Sequence, residues 1–151
     1  MSPTRATSTS LAARLGRKGL ELLHQDHGTA FYLLDTQRAT SNVRDLVSAF
    51  RAIHRRTSIG HSYKTNYIPA LCALTYAEGA YAEVVSGMEY DLAIRLAVAP
   101  ERILLNGPVK SAGLIERALL AGSLVNVDSM QEVEVVRTIA LRHPEHPFRV
   151  G

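Results

Sequence analysis

A lysine closes one short apolar segment of this chain. It lies in His61-Ser62-Tyr63-Lys64-Thr65-Asn66-Tyr67, where Thr57–Tyr63 reads as a strand and Lys64 as its carboxyl end. An ammonium is costly to take out of water. Burial lowers a lysine pKa and makes the neutral amine available as a nucleophile. The chemistry suited to such an amine is Schiff-base formation with an aldehyde. The plain alternative is a lysine whose stem follows the strand end while its ammonium reaches water. Three further polar positions, Ser86, Asn106 and Asp128, follow short apolar runs in the same way. Each has an ordinary local role as well. Asp128 or Ser129 suits a helix cap, with Glu132 placed to complete a capping box from Ser129. Asn106-Gly107-Pro108 reads as a turn.

The elements that must position these residues alternate. Ser10 could cap a helix over Leu11–His24, ended by His27-Gly28. Ala30–Leu34, with two aromatics, reads as a strand. A helix over Gln37–Arg55 follows, with Val43, Leu46, Val47, Phe50 and Ile53 at helical spacing. Next come strand Thr57–Tyr63, helix Ile68–Glu78, strand Ala82–Val85 and helix Met88–Ala97. Strand Arg102–Leu105, helix Ser111–Leu120, strand Leu124–Val127, helix Ser129–His143 and an opening strand at Phe148–Val150 complete the pattern. Short apolar runs alternating with helices indicate βαβ units and a parallel sheet. Parallel strands buried on both faces read as continuous apolar runs, as Ile103-Leu104-Leu105 does. In such folds the loops at the carboxyl ends of the strands form the ligand site, which places Lys64, Ser86, Asn106 and Asp128 at one mouth.

Composition narrows the function classes. The 151 residues are 46% hydrophobic and 21% charged, within the range of soluble globular domains. The net charge of +3 is too mild to imply nucleic acid, and aromatics at 6% leave little for base stacking. No apolar run approaches the roughly 18 residues of a membrane span. A single cysteine, Cys72, makes an internal disulfide impossible and points to a reducing, cytoplasmic setting. It falls in an apolar helix and reads as a small buried hydrophobe. His24/His27 and His143/His146 lack a third ligand, so no metal site is expected. Met1–Leu20 carries four basic residues and no acid. That composition suits either a transit peptide or a polar N-terminus leading into a helix.

The order of segments carries a resemblance. Ser62-Tyr63-Lys64-Thr65-Asn66-Tyr67 resembles the lysine motif of the pyridoxal-phosphate-dependent fold type III decarboxylases. This is the family of diaminopimelate, ornithine and arginine decarboxylases, with an alanine-racemase-like barrel. Ala82–Glu89 resembles the family's second strand and following helix start, and Arg102–Ser111 its third strand and loop. Val125–Ser129 resembles the fourth and Phe148–Val150 the start of the fifth. Thr29–Asp35 resembles the strand that precedes them.

The resemblance implies an α/β fold, a partial (β/α)8 TIM-type barrel. It comprises about the first four and a half βα units with an N-terminal helical extension. Residues 1–28 would be the extension and 29–151 the first part of a barrel that binds pyridoxal 5'-phosphate. Lys64 would hold the cofactor as a Schiff base. Glu83 matches an acidic position near the cofactor, and Arg149 an arginine at the end of the fifth strand. A carboxylate and a guanidinium at neighbouring strand ends could pair. Thr65 stands where the family commonly has alanine, and Met88 where it commonly has a second glycine. The implied activity is decarboxylation of an amino acid, diaminopimelate or a basic one, in a homodimeric full-length enzyme. An amino-acid racemase on the same barrel and a non-catalytic cofactor-binding protein are the alternatives. A closed barrel takes about 250 residues. The family's phosphate-binding glycine loop and its partner for the pyridine nitrogen come later than Gly151, so these 151 residues alone are expected to be inactive.

Overall fold

The computed structural model describes residues 10–151, and the basic, Ser/Thr-rich stretch before Ser10 lies outside them. Two compact units divide between Asp35 and Thr36.

The first unit holds α1 (Leu11–His27), which Ser10 caps by accepting a hydrogen bond from the Ala13 N–H. Gly16, at φ 63°, kinks it, and Gly28, at φ 82°, ends it. Left-handed backbone of this kind favours glycine because a Cβ would crowd the following carbonyl. The strand expected over Ala30–Leu34 is not formed. These residues run as irregular chain with Tyr32 99% exposed, and an Arg14–Asp35 ion pair follows them. Aromatic and apolar residues suit a pleated surface, but a strand also needs a ladder partner, and none of the described strands pairs with this segment.

The second unit begins with α2 (Thr36–Ile53). β1 (Gly60–Ser62), β2 (Tyr81–Val84), β3 (Ile103–Leu105), β4 (Leu124–Val125) and β5 (Arg149–Val150) form one sheet. Its order is β1-β2-β3-β4-β5, with every pair parallel. α3 (Pro69–Ala77), α4 (Gly87–Arg95), α5 (Ala112–Leu120) and α6 (Met130–Arg142) connect successive strands. Sequential order without reversal is the winding of a (β/α)8 barrel segment rather than of a doubly wound sheet.

Alternation along the strands decides which face is covered. Ala82, Val84, Ile103, Leu105 and Val125 are buried and share one core with Cys72, Tyr90, Ile115, Leu119 and Ile139 of the helices. The intervening residues Tyr81, Glu83, Leu104 and Leu124 are only half-buried and occupy the opposite, concave face. Pro69 at the first turn of α3 suits a position whose N–H has no helical partner. Cys72 is fully buried in that helix, as expected. The strand expected from Arg102 starts one residue later, because Pro100–Arg102 closes a turn of 3-10 helix first.

Candidate functional site

The carboxyl ends of β1 to β4 bring the polar positions to one rim. Tyr63, immediately after β1, is 1% exposed and donates its backbone N–H to Glu83 O at 2.9 Å. Burial first, then the neighbouring Cys72, pushes the Tyr63 phenol well above its usual range. Lys64 is therefore the first residue beyond a firmly anchored one. The turn that carries it wraps around the Ser62 carbonyl, which accepts from Thr65 N, Thr65 Oγ1 at 2.8 Å and Asn66 N. The hydroxyl of Thr65 thus closes the lysine turn.

Lys64 stands at the carboxyl end of its strand, as expected. Of the two alternatives for its amine the structure has the one that reaches water, for the side chain is exposed and makes no hydrogen bond or ion pair with any described residue. The turn lifts it off the ladder just past the last residue that β2 covers.

Glu83 projects from the concave face of β2, half-buried, and its Oε1 accepts from Asn106 Nδ2 at 2.9 Å. Asn106 Oδ1 in turn accepts from Asn126 Nδ2. The expected pairing of Glu83 with Arg149 does not occur. Arg149 shares the register row of Leu124 and Leu104 with Glu83. Its guanidinium turns the other way, toward the amino ends of the strands, and donates to Glu101 O at 2.7 Å and Gly122 O at 3.3 Å. There it lines a concavity of about 220 Å³ with Gly60, Tyr81, Leu104 and Leu124. Two loop carbonyls within reach satisfy the guanidinium, whereas Asn106 holds one oxygen of Glu83.

Ser86 and Ser129 are the N-caps of α4 and α6, accepting from Glu89 N and Glu132 N. The capping box differs from expectation in one bond. Glu132 Oε2 accepts from Asp128 N at 3.0 Å, the residue before the cap, and Glu89 Oε2 accepts likewise from Val85 N at 2.7 Å. Each buried glutamate therefore ties the helix start back to the strand it follows.

Residue types and spacing alone did not reveal Lys110. It is the chain's buried lysine, its ammonium 2.8 Å from Glu132 Oε2 and donating to Gly107 O. Burial tends to raise the Glu132 carboxyl, but the bonds from Lys110 and the Asp128 N–H outweigh it and hold the group below the usual range. Its only sequence signal was the Ser129-x-x-Glu132 pattern, which does not name a partner 22 residues away.

Residues 40–150 match the family of pyridoxal-dependent decarboxylases over its pyridoxal binding domain. The chain belongs to this family. Among its relatives, the diaminopimelate decarboxylase of Methanothermobacter thermautotrophicus is 30% identical over 129 residues, covering 85% of this chain and 30% of the relative. That of Helicobacter pylori is 33% identical over 121 residues, 80% of this chain and 29% of the relative. The crystal structure of Helicobacter pylori diaminopimelate decarboxylase complexed with L-lysine superposes with a TM-score of 0.74 at 29% identity, over 87% of this chain and 33% of that one. The M. jannaschii enzyme in co-complex with L-lysine gives 0.77 at 27% identity, over 86% and 31%. The chain thus spans about 30% of the length of the relatives it matches.

Proposed function

We propose that this chain forms the lysine-bearing wall of the cofactor pocket in a pyridoxal-phosphate-dependent amino-acid decarboxylase of the diaminopimelate or basic amino acid type. One observation carries the reading: Lys64 offers an unpartnered primary amine at the carboxyl rim of a parallel sheet, with the Glu83 carboxylate on the concave face of the next strand. That donor set fits an aldehyde-bearing cofactor with a cationic ring. When bound, pyridoxal phosphate supplies the aldehyde and a pyridine ring that takes up the electrons left by a departing carboxylate.

The protein's own contribution is placement. Tyr63 and the Ser62 turn hold the Lys64 backbone, so the amine projects from a fixed point. Glu83, held by Asn106, supplies a fixed negative charge one strand away. Arg149 braces β5 against the amino-end loops. The described residues leave Lys64 in water, so they do not supply the desolvation that a nucleophilic amine calls for. This favours weak cofactor uptake and no turnover of substrate by the described residues alone.

The chain contains three lysines, Lys18, Lys64 and Lys110, which makes the test direct. Incubation with pyridoxal phosphate, borohydride reduction and peptide mapping is expected to label Lys64 well above Lys18, an exposed residue of α1. Equal labelling of Lys18 and Lys64 overturns the proposal. Product analysis with diaminopimelate, lysine, ornithine and arginine then separates the activities. An amine means decarboxylation, an inverted amino acid a racemase, and neither is the expectation for these 151 residues alone.

A further inference from the structure

We propose that Asn106 and Asn126 are positioning residues that orient the Glu83 carboxylate through one directional hydrogen-bond relay across β2, β3 and β4. An ionised carboxylate only accepts hydrogen bonds, whereas a side-chain amide has one accepting and one donating end. Glu83 Oε1 therefore fixes which way Asn106 faces, with Nδ2 toward Glu83 at 2.9 Å and Oδ1 away from it. That oxygen fixes Asn126 in turn, whose Nδ2 donates to it. The Oδ1 of Asn126 is left facing β5. It lies over Gly151, where a Cβ would run into it. A single charge on β2 thus sets the polarity of groups on the next two strands.

The backbone makes the relay rigid. Asn106 N donates to Val84 O at 2.8 Å and Asn126 N to Leu105 O at 3.0 Å, so each amide springs from a residue locked to its neighbouring strand. Gly107 brings the β3 loop close to β2. It sits at φ 102°, and a Cβ there would lie 3.1 Å from Val85 Cβ. The close approach puts the Asn106 amide within reach of Glu83. Neither asparagine is needed to cap a helix, since Ser111 and Ser129 perform that task. The role of the relay in cofactor placement rests on the function proposed above, but the relay itself does not.

Side-chain NMR of the whole chain tests it. In the unmodified protein, hydrogen-bond scalar couplings are expected from the Asn106 Nδ2 to the Glu83 carboxyl carbon and from the Asn126 Nδ2 to the Asn106 side-chain carbonyl carbon. In Glu83→Gln the new amide can offer either end to Asn106, so the polarity is no longer imposed. Hydrogen exchange of the Asn126 NH2 group should then quicken about tenfold. Absent couplings, or an Asn126 amide that ignores the substitution, overturn the relay. The couplings need no variant, so they decide the matter even where Glu83→Gln folds poorly. In Asn106→Leu, the Lys64 to Lys18 labelling ratio is expected to fall at least threefold, and an unchanged ratio overturns the positioning role. Should Lys64 take no label while Asn126 follows Glu83, the proposed function fails and the relay stands.

Discussion

The Lys110 ammonium and the Glu132 carboxylate meet at 2.8 Å with their side chains 0% and 8% exposed. The pair ties the loop after β3 to the first turn of α6, directly behind the rim that carries Asn106. Desolvating two such charges is repaid only by good geometry and further hydrogen bonds. Gly107 O and Asp128 N supply two of them. Removing one partner leaves a buried charge alone, which costs about 3–5 kcal/mol. We expect Lys110→Met and Glu132→Gln each to lower stability strongly. The double variant should be less destabilised than the sum of the two, as read in a urea-denaturation cycle. Additive losses would mean that the two groups do not act as a pair.

Stability should fall in two steps as pH is lowered. Burial holds the His61 imidazole below its usual pKa, partly opposed by a bond to the Asn66 backbone. The unfolded chain therefore takes up this proton first, near the reference value of about 6.5. The His61 contribution is complete above that pH and is lost as pH falls through it. Glu132 is a carboxyl held below its usual range. Its contribution is present above the unfolded value of about 4.3 and is lost on further acidification. Urea midpoints recorded from pH 8 to pH 2 should show both slopes. His61→Asn should abolish the upper slope and leave the lower.

Gly107→Ala should cost more than Gly79→Ala. Both glycines have left-handed backbone, at φ 102° and φ 91°. Strain alone accounts for about 1 kcal/mol in each. A Cβ at Gly79 meets nothing within 4 Å, whereas one at Gly107 presses on Val85 Cβ at 3.1 Å and Val85 O at 3.2 Å. Overpacking of that kind adds about 1–3 kcal/mol. Equal thermal shifts for the two variants would show that the loop yields freely.

Arg149→Ala should loosen β5 and spare the lysine rim. The guanidinium holds Glu101 O and Gly122 O, so its loss is expected to speed amide exchange at Gly151 and Val127, which close the β4–β5 ladder. Borohydride labelling of Lys64 should stay within about twofold. A loss of labelling as large as that expected in Asn106→Leu would return Arg149 to the cofactor side.

The residue pattern alone determined the alternation of strands and helices, the parallel sheet, and the placing of Lys64, Ser86, Asn106 and Asp128 on one rim. These are local matters, set by short apolar runs, caps and glycine turns that leave their mark within a few residues. Tertiary structure decided the rest. Ala30–Leu34 has the composition of a strand, yet whether a segment pairs depends on an edge that composition does not show. The pattern left Lys64 either buried or reaching water, and it lies in water, while Lys110, unremarked among polar neighbours, is enclosed. Burial belongs to whatever covers a residue, and that comes from segments distant in sequence. Glu83 and Arg149 share a register row, but their side chains leave it in opposite directions. Each follows a partner of its own, the Asn106 amide just beyond β3 for one and two loop carbonyls for the other. Such choices are made only after the strands have been laid side by side.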